Sequence, residues 1–155
     1  WDTACKTGKQ HDYSCCTSWG VVDGCFYLLD VLRGKWSYPD LKRQVLLQAE
    51  KWKSDVILIE DKASGQSLIQ DIRRERPLSI VGIKPHLDKV TRASTVSPLI
   101  EAGKVHLPKE SDWLSSYIKE MVSFPASPND DQVDSTTQFL KWMHEGATRP
   151  QMRSL

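Results

Sequence analysis

Three groups of acidic residues stand far apart in the chain, each at the edge of a segment with a distinct pattern. Asp2 lies in the opening residues, Glu60 and Asp61 follow the apolar run Val56-Ile57-Leu58-Ile59, and Asp130, Asp131 and Asp134 begin the last helix-like stretch. Hard divalent cations take oxygen ligands from several directions, and carboxylates supply both the oxygen and the counter-charge. Two such ions held ~3.5–4 Å apart can activate a water and stabilise the leaving oxygen of a phosphodiester. The set therefore suits metal-assisted hydrolysis, with Asp2, Glu60, Asp130 and Asp131 as catalytic metal ligands and Asp61 and Asp134 as supporting ones. Taken singly, each group has an ordinary reading as well. Asn129, Asp130 and Asp131 could simply cap a helix and favour its dipole, and Glu60-Asp61 could be a plain strand exit.

The elements that must position these acids can be read from periodicity. Residues 12–22 are rich in β-formers, Asp23-Gly24 is a strong hairpin signal, and a second β-rich run covers Cys25 to Leu32. With the stub Trp1–Cys5, these make three leading strands in an antiparallel meander. Pro39 opens a helix along which Leu41, Val45, Leu46, Ala49 and Trp52 recur at helical spacing. The unbroken run 56–59 suits a strand buried on both faces. Leu68, Ile69 and Ile72 mark a helix stopped by Pro77, and 78–83 reads as a strand. A helix follows over 88–101, then a short strand Val105-His106-Leu107. Trp113, Tyr117, Ile118 and Met121 mark a further helix, and the last runs from about 130 to 145.

The order β-β-β-α-β-α-β-α-β-α-α predicts an RNase H-like α/β fold: a mixed central sheet of three leading antiparallel strands, then alternating helices and strands, flanked by helices. We expect one domain over residues 1–146 and a flexible tail over 147–155. In the last helix Val133, Thr137 and Leu140 form the core-facing stripe. Asp130 falls one turn before Val133 on it, while Asp131 points about 100° away. Periodicity thus favours Asp130 over Asp131 as the inward ligand, with Asp134 one turn further on.

The 155 residues carry 39% hydrophobic and 26% charged side chains, the balance of a soluble globular domain. No apolar run approaches the ~20 residues needed to span a bilayer. Net charge is only +1, but its distribution is uneven. Arg73, Arg74, Arg76, Lys84, Lys89 and Arg92 cluster in the middle of the chain, and acids dominate toward the end. A nuclease needs both signs, carboxylates for metal and cations for phosphate. Cys5, Cys15, Cys16 and Cys25 lack the paired spacing of a zinc site and read as reduced core thiols. No phosphate-cradling Gly-x-x-x-x-Gly-Lys-Ser/Thr motif occurs, so this segment is not expected to hydrolyse ATP. Trp1-Asp2-Thr3-Ala4 has no charged leader and no initiator Met, which reads as a fragment of a larger protein and not as a signal peptide.

Several of these segments together resemble one family. Trp1-Asp2-Thr3-Ala4 with Asp12-Tyr13-Ser14, Leu58-Ile59-Glu60-Asp61-Lys62-Ala63-Ser64-Gly65 and Asn129-Asp130-Asp131-Gln132-Val133-Asp134 look like the three acidic motifs of the nuclease domain of tailed-phage terminase large subunits. Tyr38-Pro39-Asp40-Leu41, Asp88-Lys89-Val90-Thr91-Arg92-Ala93 and Gly103-Lys104-Val105-His106-Leu107-Pro108 match in the same order, over residues 1–140 or so. The third motif commonly starts with His, where this chain has Asn129. The resemblance implies endonucleolytic cleavage of concatemeric viral DNA in the host bacterial cytoplasm. It also implies Mg2+ or Mn2+ as cofactor, with a packaging ATPase domain, the portal and the small terminase subunit as partners. It adds Asp12 as a metal-site candidate, with a strand start as the alternative.

Lys62, Lys84, Lys89 and Arg92 are the expected contacts to the DNA backbone, phosphates and not base edges being what a non-specific nuclease grips. The four histidines are scattered and none is assigned to catalysis. The six tryptophans are expected in the core. Two other readings stay open: another RNase H-like nuclease of the resolvase or integrase type, and a DNA- or portal-docking module in which the acids only cap elements.

Overall fold

The computed structural model describes residues 1–3, 13–62 and 64–146. Asp12, Cys5, His11 and the tail 147–155 lie outside the described residues. Strands β1 (Ser14–Val22) and β2 (Cys25–Gly34) form an antiparallel hairpin. Its turn residues Asp23 and Gly24 both have positive φ, 50° and 76°. A two-residue turn that follows the strands' own twist needs that conformation, which is why Asp-Gly serves there. Helix α1 (Tyr38–Trp52) starts at Ser37, whose hydroxyl accepts from the Asp40 amide, and it buries Leu41, Val45 and Ala49 one turn apart. Then follow β3 (Ile57–Glu60), α2 (Ser64–Glu75), β4 (Ile80–Ile83), α3 (Lys89–Glu101), β5 (Val105–His106), α4 (Leu114–Ser123) and α5 (Asp131–His144).

The expected order of elements holds, with one difference at its start. Of the leading stub, only an antiparallel bridge from Asp2 to Cys15 is formed among the described residues. That bridge matters more than its length suggests. The Trp1 nitrogen donates to the Leu58 carbonyl (2.7 Å) and the Glu60 amide to the Trp1 carbonyl (3.1 Å). Residues 1–2 are therefore hydrogen-bonded to β3 on one side and to β1 on the other. They join the parallel β3–β4 pair to the mixed β1-β2-β5 sheet, in which β5 lies parallel to β2.

Alternation along β1 sends Cys15 and Cys16 to opposite faces, each a free thiol. Cys16 joins Trp1, Leu41, Val45, Ile59 and Leu68 under α1 and α2. Each such aliphatic side chain contributes roughly 1.5–3 kcal/mol on burial. Cys15, Leu28 and Val31 pack on α4, while Phe26, Val96 and Leu140 pack between α3 and α5. Leu28 and Val31 share a face only because the register slips between Ser18 and Trp19, so that Leu29 has no partner on β1. This bulge switches the inward positions of β2 from even to odd numbers. Arg33, two residues beyond Val31, then points at α5, where it meets Asp131. The tryptophans mostly pack as expected: Trp1 meets Trp36 edge-on, Trp19 stacks on Phe139 at 4.8 Å, and Trp113 abuts Tyr117.

Helix α5 departs from the single-stripe expectation, since Gln132 through Gln138 are all buried. Polar residues tolerate this because their neighbours partner them. Ser135 bonds Thr17 of β1, Thr136 bonds Tyr117 of α4, and Thr137 accepts from Arg92 of α3. The helix start is held from outside. Asp130 occupies the N-cap without a side-chain cap bond. The buried Glu120 of α4 instead accepts from the Gln132 amide (2.7 Å), the Val133 amide (3.2 Å) and the Gln132 side chain (2.6 Å), with Arg33 3.4 Å away. Removing that carboxylate orphans buried donors and leaves Arg33 short of a counter-charge. Glu120→Ala should therefore cost at least ~3 kcal/mol in urea denaturation, and Glu120→Gln less, because an acceptor remains. A cost below ~1 kcal/mol for the alanine variant would rule out this capping role.

Candidate active site

The strand seam sets the first two acids side by side. Asp2 exchanges backbone hydrogen bonds with Cys15 (both 2.9 Å), and Trp1 pairs with β3 around Leu58 and Glu60. Asp2 and Glu60 thus sit on adjacent strands at the middle of the seam, and their carboxyls lie within hydrogen-bonding reach of each other. Burial pushes the Asp2 pKa well above the ordinary carboxylate value, and the contact with Glu60 pushes it further. Repulsion from Glu60, Asp134 and Asp131 acts in the same direction.

Glu60 is fixed by the turn that follows it. The Lys62 amide donates back to the Glu60 carbonyl (3.0 Å) and the Gly65 amide to the Lys62 carbonyl (2.9 Å). Gly65 passes so close that a β-carbon there would fall 1.9 Å from the Glu60 carbonyl oxygen. Only glycine fits, whatever the turn dihedrals. Asp61 turns instead toward β4: its amide bonds the Ile83 carbonyl (2.8 Å), and its side chain lies over Gly82.

The third group arrives on α5, where the exposure of the acids differs from what helical phase implies. The helix begins at Asp131, so its periodicity does not extend back to Asp130, whose backbone (φ −139°, ψ 11°) is not helical. The Asp130 side chain stays 37% exposed and reaches Lys89 (2.8 Å). Asp131 is 14% exposed and is held by Arg33 (3.1 Å). Asp134 is 9% exposed and is held by Lys89 (2.6 Å) and Arg92. Burial raises the pKa of Asp131 and of Asp134, while Arg33 opposes the rise at Asp131 and Lys89 with Arg92 opposes it at Asp134.

The four expected phosphate contacts divide. Lys62 is exposed beside Glu60 (3.6 Å), and Lys84 is exposed just past β4. Arg92 is turned inward: it is buried and bonds Thr137 and Asp134, a structural duty that withdraws it from solvent. Lys89 bridges Asp130 and Asp134. Burial works against its charge, but those two hydrogen bonds prevail and hold its pKa above the usual lysine range. Two organising residues escaped the sequence reading, Arg33 and Glu120. Glu120 had a signal, a carboxylate three residues after the buried Tyr117 on the apolar face of α4. Arg33 had none, because its direction depends on the bulge.

The acids fit a hard cation in part. Among the described residues, no three acidic, histidine or cysteine side chains stand close enough to enclose an ion as placed. Asp2 and Glu60 do offer carboxylate oxygens from neighbouring strands of the seam, the donor type that a hard cation takes. The acids at the start of α5 are held in ion pairs, Asp131 with Arg33 and Asp134 with Lys89 and Arg92.

The described residues thus form an α/β domain with a mixed sheet, and acids come both from its seam and from a facing helix. The chain belongs to the terminase RNase H-like domain family, whose model matches residues 1–141, and the family is of nuclease type. No curated protein matches the chain.

The raised Asp2 pKa has a stability consequence with a definite sign. The neutral form is favoured in the fold, so this contribution is complete below the ordinary carboxylate range and is lost as pH rises through the elevated value. Asn at position 2 cannot ionise. In metal-free buffer with EDTA, Asp2→Asn should melt above wild type at pH 8, and the gap should close toward pH 4. A gap that is constant or widens toward acid would show that Asp2 is not strained by ionisation.

Proposed function

We propose that this domain is a metal-dependent DNA endonuclease that cuts concatemeric viral DNA during genome packaging. What supports the reading is the backbone pairing that sets Asp2 and Glu60 on neighbouring strands, together with the terminase RNase H-like family match over residues 1–141. Asp2 and Glu60 bind Mg2+ or Mn2+, with two ions in the working site, and Asp131 and Asp134 complete the set, Asp130 lying one residue outside it. The metal supplies Lewis-acid activation of water and neutralises charge on the phosphodiester. The chain's own groups orient and exclude. Gly65 keeps the Glu60 backbone in place, Arg33 and Glu120 hold the start of α5, and Lys62 offers an exposed cation to the phosphate beside Glu60. Double-stranded DNA is the substrate. A packaging ATPase domain, the portal and the small terminase subunit are the partners, and the host bacterial cytoplasm is the compartment. No helix among the described residues is long and apolar enough to cross a membrane.

The test is relaxation and linearisation of supercoiled plasmid by the purified chain with Mg2+ or Mn2+. Asp2→Asn and Glu60→Gln should each reduce cutting at least ~100-fold, since even outer residues of metal sites commonly cost 10–100-fold. Asp131→Asn should cost more than Asp130→Asn, the reverse of what helical periodicity implies. Cutting by Asp2→Asn and Glu60→Gln at the wild-type rate would leave the docking-module reading in its place.

A further inference from the structure

Several cations near the acidic cluster are already committed within the fold. Arg92 and Lys89 are bound to the α5 acids, and Arg33 is bound to Glu120 and Asp131. A polyanion approaching this many carboxylates needs other positive charges beside the cut site. Lys35 belongs to none of the motifs. It lies just past β2, is exposed, and has no ion pair among the described residues. Its ammonium is nevertheless held in place. It sits 4.7 Å from the centroid of the Tyr13 ring, and the Arg33 guanidinium carbon lies 4.1 Å from the same centroid. Arg33 extends from there to Asp131 (3.1 Å). One aromatic ring thus links a cation that is committed to the acids with a second that is steadied but has no carboxylate partner.

The sheet register places this ammonium relative to the acids. Trp1 bonds Leu58 and Glu60 in the parallel pattern, so Asp2 lies opposite Glu60. Asp2 bridges Cys15, and Cys15 lies opposite Arg33. Glu60, Asp2, Cys15 and Arg33 therefore form one row across three strand spacings, ~14 Å. β2 and β3 run in the same direction, because β1 is antiparallel both to residues 1–2 and to β2. Lys62, two positions past Glu60, and Lys35, two past Arg33, thus stand beyond the same edge of the sheet, one at each end of the row. Two exposed ammonium groups flanking a row of acids suit a run of phosphates laid across that edge, with the acids at its middle. We propose that Lys35, steadied by Tyr13, binds a backbone phosphate of the DNA strand on the Asp131 side of the bond that is cut. Lys62 serves the other flank. The inference rests on the nuclease reading and adds to it a phosphate site and the direction of the strand, across the sheet edge from β3 to β2.

The test separates binding from cutting. Fluorescence anisotropy of a labelled duplex oligonucleotide is measured at fixed Ca2+ over a range of monovalent salt, with plasmid cutting in Mn2+ as a separate assay. Lys35→Ala should bind about three- to tenfold more weakly at low salt, and its slope of log affinity against log salt should be shallower by about 0.9, one phosphate contact. Lys35→Arg should bind like wild type. Tyr13→Leu should bind about two- to fivefold more weakly, since no ring holds the ammonium, and Tyr13→Phe should match wild type. Lys104→Ala removes an exposed ammonium just before β5, at the opposite edge of the sheet, and should change neither affinity nor slope. Equal binding by Lys35→Ala and a wild type that cuts plasmid overturns the phosphate site. An equal loss from Lys104→Ala also overturns it, because net charge and not a contact would then set the affinity. A wild type that neither binds nor cuts overturns the nuclease reading and this inference with it.

Discussion

The structure hangs on a backbone seam two residues long. Trp1 and Asp2 carry the hydrogen bonds that connect β3 to β1, and no other described segment bridges those strands. Such a short seam needs an anchor, since a bridge of this length has little ladder energy of its own. Trp1 supplies it by burying its ring in the cluster under α1 and α2. The consequence for chemistry is direct. Once the ladder is formed, Asp2 and Glu60 are neighbours by register, and neither side chain has a say in the matter. Carboxyl repulsion that would separate two surface acids is here overruled by backbone pairing and apolar burial.

The remaining charges are arranged around that enforced contact, and unevenly. Asp131 has Arg33, while Asp134 has both Lys89 and Arg92. Among the described residues the Asp2–Glu60 pair has Lys62 as its ion-pair partner, 70% exposed and 3.6 Å off, a geometry in which water screens most of the attraction. The α5 acids are thus the more closely compensated of the two groups among the described residues.

Much of this was legible in the sequence, for identifiable reasons. The hairpin at Asp23-Gly24, the Pro39 helix start and the buried run ending at Glu60 each follow from local rules, and each appears as expected. The acids at 2, 60, 130 and 131 stand out as candidates because each group lies at the edge of a patterned segment. Three features were not legible, because each depends on a partner distant in the chain. The bulge at Leu29 reverses which side of β2 faces inward, so the direction of Arg33 could not be counted along the strand. The inward turn of Arg92 depends on Asp134 and Thr137, 42 and 45 positions away. The choice between Asp130 and Asp131 depended on where α5 starts, and helix boundaries are where periodicity is weakest.

That last point has a physical cause worth following to its end. Helices commonly begin with an aspartate whose own carboxylate accepts from the first-turn amides. Asp130 occupies that position and makes no such bond. Glu120 reaches in from α4 and takes the amides of Gln132 and Val133 instead. Were Asp130 to cap its own helix, its carboxylate would be tied to backbone N–H groups and its backbone would be extended, not at ψ 11°. With the cap supplied from the side, all three acids at the start of α5 keep their carboxylates for cations, Asp130 and Asp134 on Lys89 and Asp131 on Arg33. The buried glutamate is what lets this helix N-terminus carry a cluster of acids without consuming them in its own hydrogen bonds.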